Sequence, residues 1–197
     1  EAIKPFFEGV DGVFHCAALA RIQPSIVDPL SPHHVNATGT LNVLIAAKEG
    51  GAKKFIYSGS SSVYGVQSEL PFREDMRPNP INPYAVQKLM GEMYCRNFTE
   101  LYGLPTVILR YFNVYGPREV LEGGYAAVIG KFRYQLQHGE PMTMVADGDK
   151  KTRDFTHVSD VARANLLAME SDKVGKAEVI NIGTGENYTI KEMALMF

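Results

Sequence analysis

The chain has 197 residues, 45% of them hydrophobic and 21% charged, with a formal net charge of −2. That length suits one full domain and part of a second, and the composition excludes a disordered chain. Without a basic surplus there is no electrostatic basis for binding nucleic acid or an acidic membrane, so phosphate recognition must come from local geometry.

In chain order, Val10 to Cys16 is a short apolar run ending in Ala17-Ala18, which predicts a buried strand. His33 to Glu49 predicts a helix, with Leu41, Leu44 and Ile45 on one side and Gly50-Gly51 as its stop. Lys54 to Ser58 is the next strand, and Asn82-Pro83 opens a long helix through Leu101 that Gly103 ends. Thr106 to Tyr111, dense in β-branched and aromatic residues, is a third strand. Beyond Gly116-Pro117, Glu119 to Gly124 reads as a loop, Tyr125 to His138 as a helix and Met142 to Val145 as a short strand. Val158 to Met169 predicts a helix, with Val161, Ala164, Leu167 and Ala168 at helical spacing, and Val179 to Ile182 a strand. The alternation predicts an α/β fold: a parallel sheet with helices on both faces.

Cys16 and Cys95 are too few for a disulfide framework and match no metal-ligand spacing, so both read as small buried residues and no metal is expected. That cysteine usage points to the reducing cytosol. No apolar run reaches the roughly 18 residues that a membrane span needs. Glu1-Ala2-Ile3-Lys4-Pro5 carries neither an initiator Met nor a signal-peptide pattern, and Thr189 to Phe197 begins a helical pattern and stops. The chain therefore reads as an internal piece of something longer.

In open α/β sheets ligands sit beyond the carboxyl ends of the strands. Three such ends can be marked: Ala17-Ala18, Ser58 to Ser62 and Asn113. Tyr84 and Lys88 are four apart at the start of the long helix, so phenol and ammonium share a face. A phenol is a poor base at neutral pH, and a nearby cation favours its phenolate; such a pair could take a proton from a sugar hydroxyl. Alone the spacing is weak, because surface helices carry it by chance. The run Ser58-Gly59-Ser60-Ser61-Ser62-Val63-Tyr64-Gly65 at a strand end strengthens it, since a serine hydroxyl can donate to and accept from the reacting oxygen. The plainer alternative is a serine-rich loop capping its own backbone. His15 reads as structural, His157 as part of a helix entry, and His33-His34 as surface residues.

These features resemble the extended short-chain dehydrogenase/reductase family, and within it the nucleotide-sugar epimerases and dehydratases. The match runs through His15-Cys16-Ala17-Ala18, Val35-Asn36, Ser58 to Gly65 and Tyr84 to Lys88. It continues through Arg110 to Pro117, Arg153 to Val158 and Asn181-Ile182-Gly183. The resemblance implies an incomplete Rossmann-like doubly wound parallel sheet with part of a smaller C-terminal substrate domain. Residues 1–116 would be a partial NAD-binding domain, 117–152 a partial substrate-binding region, and 153–197 a segment returning to the sheet.

It also implies roles. Tyr84 would be the catalytic acid and base, Lys88 would bind the nicotinamide ribose and lower the phenol's pKa, and Ser60 would hydrogen-bond the reacting sugar hydroxyl. Cys16, Ala17, Ala18, Asn36, Ser58, Tyr111 and Phe112 would line the NAD site with Tyr84 and Lys88. Asn113 would meet the sugar diphosphate, Arg153 would pair with a diphosphate oxygen, and Ala127 and Val128 would touch substrate. The partners implied are a UDP-sugar and a second copy of the chain, since relatives often dimerise through the helices corresponding to Pro83 to Leu101 and His33 to Glu49.

Two departures stand out. Nothing in residues 1 to 20 matches the glycine-rich turn that holds the cofactor pyrophosphate at a helix N-terminus, and the usual layout would place about 60 residues before Glu1. Ala146-Asp147-Gly148 stands where relatives tend to show Gly-Asp-Gly. As to reaction, related dehydratases tend to show Thr-Asp-Glu where this chain has Ser60-Ser61-Ser62, and related decarboxylases a glutamate at Ser62. With serines there, the expectation is 4-epimerisation of a UDP-hexose; the alternatives are a dehydratase or other nucleotide-sugar oxidoreductase, and a catalytically silent NAD-binding scaffold.

Overall fold

The computed structural model describes residues 2–121, 123, 126–144 and 146–197. A parallel sheet organises it. The first strand, β1, is Gly12–His15; a helix α1, Ile22–Val27, and a short α2, Leu30–His33, follow. The chain then runs through a π-helical turn, His34–Gly39, into α3, Thr40–Glu49. Next come β2, Lys54–Ser60, a 3-10 turn Ser61–Tyr64, the long α4, Pro83–Tyr102, and β3, Thr106–Tyr111. The remainder comprises β4, Asn113–Tyr115; α5, Val128–Gln137; β5, Thr152–Arg153; and β6, Phe155–His157. Last are α6, Val158–Glu170; β7, Lys176–Ile182; β8, Tyr188–Thr189; and α7, Ile190–Leu195.

The sheet order is β1-β2-β3-β7, and every pairing is parallel. Side chains alternate across it, as a pleated strand requires. Phe55, Tyr57 and Ile108 pack on one face against Leu44 and Ala47 of α3 and Cys95 and Phe98 of α4. Ile56, Val107 and Leu109 pack on the other against Ala168 of α6. Both faces are covered, which is why β2 and β3 read as unbroken apolar runs. This is the doubly wound α/β architecture expected. A separate cluster of Ile129, Phe132, Phe155 and Ile190 ties α5 and α7 to β6. Among the described residues no helix is long and apolar enough to cross a membrane.

Several local expectations change. The first strand is half-exposed rather than buried: Val13 and His15 point inward while Phe14 is 44% exposed, because β1 is an edge of the sheet. The second helical segment begins at Leu30, three residues early, since Pro32 fits a first helical turn, where its missing N–H is unneeded. The predicted helix at Tyr125 to His138 starts only at Val128; Ala127 is extended as its N-cap, and Tyr125 lies outside the described residues, as do Glu122 and Gly124 of the predicted loop. Met142 to Met144 form no strand, and Val145 lies outside the described residues. On α6 Val161 and Ala168 are buried but Leu167 is exposed, so the inward stripe is narrower than the spacing suggested.

Helix α4 is bounded by readable chemistry. Asn82 accepts from the Ala85 amide as N-cap, Pro83 occupies the first turn, and Gly103 adopts the left-handed conformation at its end. Gly91 lets α4 lie against β2: a Cβ there would collide with the Tyr57 phenol, whose hydroxyl donates to the Lys88 carbonyl at 3.2 Å. Gly91→Ala is therefore expected to destabilise the chain by about 1–3 kcal/mol through overpacking, despite alanine's better helix propensity. A urea titration checks this, and an unchanged or higher midpoint would refute it.

Candidate active site

The carboxyl ends of β1, β2 and β3 and the first turns of α4 bring the predicted residues together. Ser60 closes β2 and caps the following turn: its Oγ accepts from the Ser62 amide at 3.2 Å and lies 2.8 Å from Ser62 Oγ. This local capping is the plainer reading of the serine run, and it is present. It does not exhaust Ser60, whose hydroxyl also faces the Tyr84 phenol.

Tyr84 is buried in the first turn of α4. Its amide donates to Ser25 Oγ at 3.2 Å, and Ser25 Oγ donates to the Ile22 carbonyl, so α1 pins the helix start. Burial pushes the phenol's pKa up; the Ser60 hydroxyl and the Arg21 guanidinium pull it part of the way back. One turn on, the buried Lys88 ammonium donates to the Ser58 carbonyl at 2.9 Å and lies 5.2 Å from the Tyr57 ring centroid. Burial lowers its own pKa to about 8, while Cys16 and Glu92 act to raise it.

The loop after β1 is set by Asn36. Its Oδ1 accepts from the Leu19 amide at 2.8 Å, and its Nδ2 donates to the Leu19 carbonyl and to Gln87 Oε1. Asn36 lies in the π-helical turn and is 1% exposed, so it holds Cys16, Ala17 and Ala18 in place through Leu19 rather than presenting a free amide. Cys16 is exposed, against the expectation of a buried thiol: it lies past the strand end and accepts from Ser58 Oγ at 3.3 Å. Ser58 Oγ also meets the Tyr111 hydroxyl at 3.1 Å, and Tyr111 is held in turn by Asn165. Phe112 is half-buried, its amide donating to the Ile182 carbonyl.

His15 is structural, as expected. It is 5% exposed, bonded to Thr40 Oγ1 at 2.9 Å, and burial with the nearby Lys88 charge lowers its pKa to about 4. A histidine that binds its proton less tightly folded than unfolded contributes stability that is full above the unfolded pKa of 6.5 and lost as pH falls to 4. His15→Gln is expected to remove about 2–3 kcal/mol of the stability loss between pH 6.5 and 4. Melting temperatures across that range test it; equal slopes in both proteins would refute it. His157 caps α6, its ring nitrogen accepting from the Ser159 amide.

The substrate-side residues are less tightly gathered. Asn113 is exposed, its Nδ2 donating to the Asp154 carbonyl at 2.8 Å, which places it beside Arg153. Arg153 is exposed and donates to the Thr152 carbonyl, while Ala127 is the N-cap of α5 and Val128 opens the helix, packed against the separate cluster. Among the described residues no hydrogen bond ties Ala127, Val128 or Arg153 to Ser60, Tyr84 or Lys88. Ser25, Gln87 and Asn165, all structural supports of the site, carry no signal in the sequence. Each acts across long separations, 59 residues for Ser25 and Tyr84.

This arrangement matches known proteins closely. The NAD dependent epimerase/dehydratase family matches residues 1–183. A putative UDP-glucose 4-epimerase of Methanocaldococcus jannaschii is 36% identical over 188 residues, covering 95% of this chain and 60% of its own length. The human dTDP-D-glucose 4,6-dehydratase is 35% identical over 187 residues, covering 95% of this chain and 51% of its own. The solved UDP-N-acetylglucosamine 4-epimerase of Methanobrevibacter ruminantium, in complex with UDP-N-acetylmuramic acid, superposes with a TM-score of 0.94 at 40% identity, over 100% of this chain and 62% of that one. The chain thus spans at most about three-fifths of the length of these relatives. With sheet, serine turn and Tyr84–Lys88 helix all in place, the chain belongs to the NAD-dependent epimerase/dehydratase family.

Proposed function

We propose that this chain carries the catalytic side chains of an NAD-dependent UDP-hexose 4-epimerase. The observation that supports this reading is the serine turn itself: Ser61 and Ser62 stand where related dehydratases tend to show an acid and a base, and Ser62 Oγ spends its hydrogen bonding on Ser60 Oγ at 2.8 Å. Hydroxyls do not titrate near neutrality and cannot drive loss of water. In this reading Tyr84 takes the proton of the sugar 4-hydroxyl and later returns it, Ser60 aligns that hydroxyl, and Lys88 supplies positive charge. Asn113 and Arg153 meet the diphosphate, Arg153 through its planar fork.

The residues fit the nicotinamide-ribose half of NAD. Lys88 spends one N–H on the Ser58 carbonyl and keeps two for a ribose diol, beside the loop of Cys16, Ala17 and Ala18. What the dinucleotide supplies when bound is a reversible hydride acceptor at the sugar's C4. Ser58, Tyr111 and Phe112 shape that side of the pocket. Exposed Met93, Leu101 and Tyr102 on α4, with Leu41 and Ile45 of α3 lining the adjoining groove, support a homodimer through these helices.

The test is incubation of the whole protein with NAD and UDP-glucose or UDP-N-acetylglucosamine. A 4-epimer is the expected product. Its absence, or a 4-keto-6-deoxy sugar in its place, refutes the reading; the second outcome would favour the dehydratase represented among the relatives.

A further inference from the structure

Arg110 stands in β3 directly opposite Gly59 of β2, one strand away from the serine turn. Its guanidinium grips Glu92 of α4 with two parallel bonds, Nε to Oε1 at 3.0 Å and Nη2 to Oε2 at 2.7 Å. The same guanidinium lies 4.6 Å from the ring centroid of Tyr64, the last residue of the Ser61–Tyr64 turn. Tyr64 is anchored at its far end, its hydroxyl donating to Asn181 Oδ1 at 2.7 Å. The Arg110 and Glu92 side chains are only 3% and 6% exposed, and the third guanidinium nitrogen is buried without a partner.

Stability is a poor explanation for such a pair. Replacing a buried ion pair with apolar residues of similar size is often neutral or stabilising, and here one donor is left unsatisfied besides. What the pair does accomplish is geometric. One guanidinium touches both the helix that carries Tyr84 and Lys88 and the turn that Ser60 caps. Glu92 follows Lys88 by one helical turn, so the partner it is given decides how much negative charge the ammonium feels.

We infer that Arg110 is a positioning residue: through Glu92 and Tyr64 it locks the serine turn to the catalytic helix and balances the charge beside Lys88. The consequence for turnover rests on the epimerase reading; the coupling to Lys88 does not. The charged and titratable groups around Lys88 are His15 and Cys16 from β1 and the loop after it, Tyr57 from β2, and Glu92 and Tyr84 from α4 itself. Of these only Glu92 is held by Arg110.

The experiment follows the Lys88 side chain directly, by NMR of the chain with 13Cε-labelled lysine, the signal assigned with Lys88→Met. Glu92→Gln removes a negative charge and leaves the Arg110 cation, so the Lys88 titration should move below its value of about 8, by about one unit. Arg110→Met leaves the Glu92 carboxylate unbalanced and should move it upward; the double variant should fall between the two. In the whole protein with NAD, the alkaline limb of kcat should shift in the same directions with KM little changed. An unmoved Lys88 titration in folded Glu92→Gln would overturn the inference. Glu92→Gln keeps the side-chain volume and one acceptor for Arg110, so it decides the matter even if Arg110→Met fails to fold. Loss of epimerase activity in the unsubstituted protein would count against the functional reading and leave these titration shifts intact.

Discussion

Tyr84→Phe is expected to lower turnover by about 10²–10⁴-fold while leaving the fold and cofactor binding in place. The reason is that the only atom removed is the one that exchanges the proton. The phenol is buried, and burial raises its pKa from the ordinary phenol value, which favours the protonated form. It is thus a ready acid, and it becomes a base only where positive charge draws the proton away. Arg21 and the Ser60 hydroxyl already act in that direction. The tyrosine amide keeps its bond to Ser25 in the variant, because that bond belongs to the backbone. The check is the initial rate in the whole protein with NAD and UDP-glucose, beside NAD affinity and the melting curve. Activity within tenfold of the unsubstituted protein would end the case for Tyr84 as the proton-transfer group.

Lys88→Met is expected to do two opposite things: abolish turnover and flatten the alkaline stability profile. Burial lowers the ammonium's pKa from 10.5 to about 8. Between these values the unfolded chain binds more protons than the folded one, so stability rises with pH across that window and is lowest, for this group, below pH 8. The full linkage amounts to about 3 kcal/mol. Methionine removes the cost of burying the charge but also strands the Ser58 carbonyl that Lys88 bonds at 2.9 Å, which costs about 1–3 kcal/mol. The net change at pH 7 is therefore small, and the informative quantity is the slope. Denaturant titrations at pH 7, 8.5 and 10 should show the unsubstituted chain gaining on the variant as pH rises. Parallel profiles would mean that Lys88 is not a buried cation. The two variants separate the roles: between pH 7 and 8.5, well below the phenol's titration, Tyr84→Phe should leave the pH slope of stability alone, and Lys88→Met should not.

Much of the site was legible because its strongest signals are local. Tyr84 and Lys88 share a helix face by spacing alone, and Asn82-Pro83 marks where that helix starts. Ser58 to Ser62 span the end of a strand whose apolar run is unmistakable, since both faces of β2 are covered. The errors fall where tertiary context governs. The burial of Cys16 was misjudged because a thiol's surroundings depend on which residues reach it from β2. Met142 to Met144 have strand-like composition yet pair with no strand, and pairing is a property of the neighbour. The two-residue strands β5 and β8 went unseen for the same reason, as their register joins Thr152 to Thr189 and Arg153 to Tyr188.

By itself the sequence determined the sheet-and-helix alternation, the family, and the shared helix face of Tyr84 and Lys88, because hydrophobic periodicity, capping residues and helical spacing are short-range properties. Only the tertiary structure decided the electrostatics of that pair. The sequence suggested an ammonium lowering the pKa of a phenol four residues away. The fold adds what the spacing does not carry: Lys88 reaches the Ser58 carbonyl, Arg21 and Ser60 act on Tyr84, and the Glu92–Arg110 pair sits beside the lysine. Ionisation depends on burial and on charges brought from distant segments, and neither is written in any stretch of chain short enough to be read as a motif.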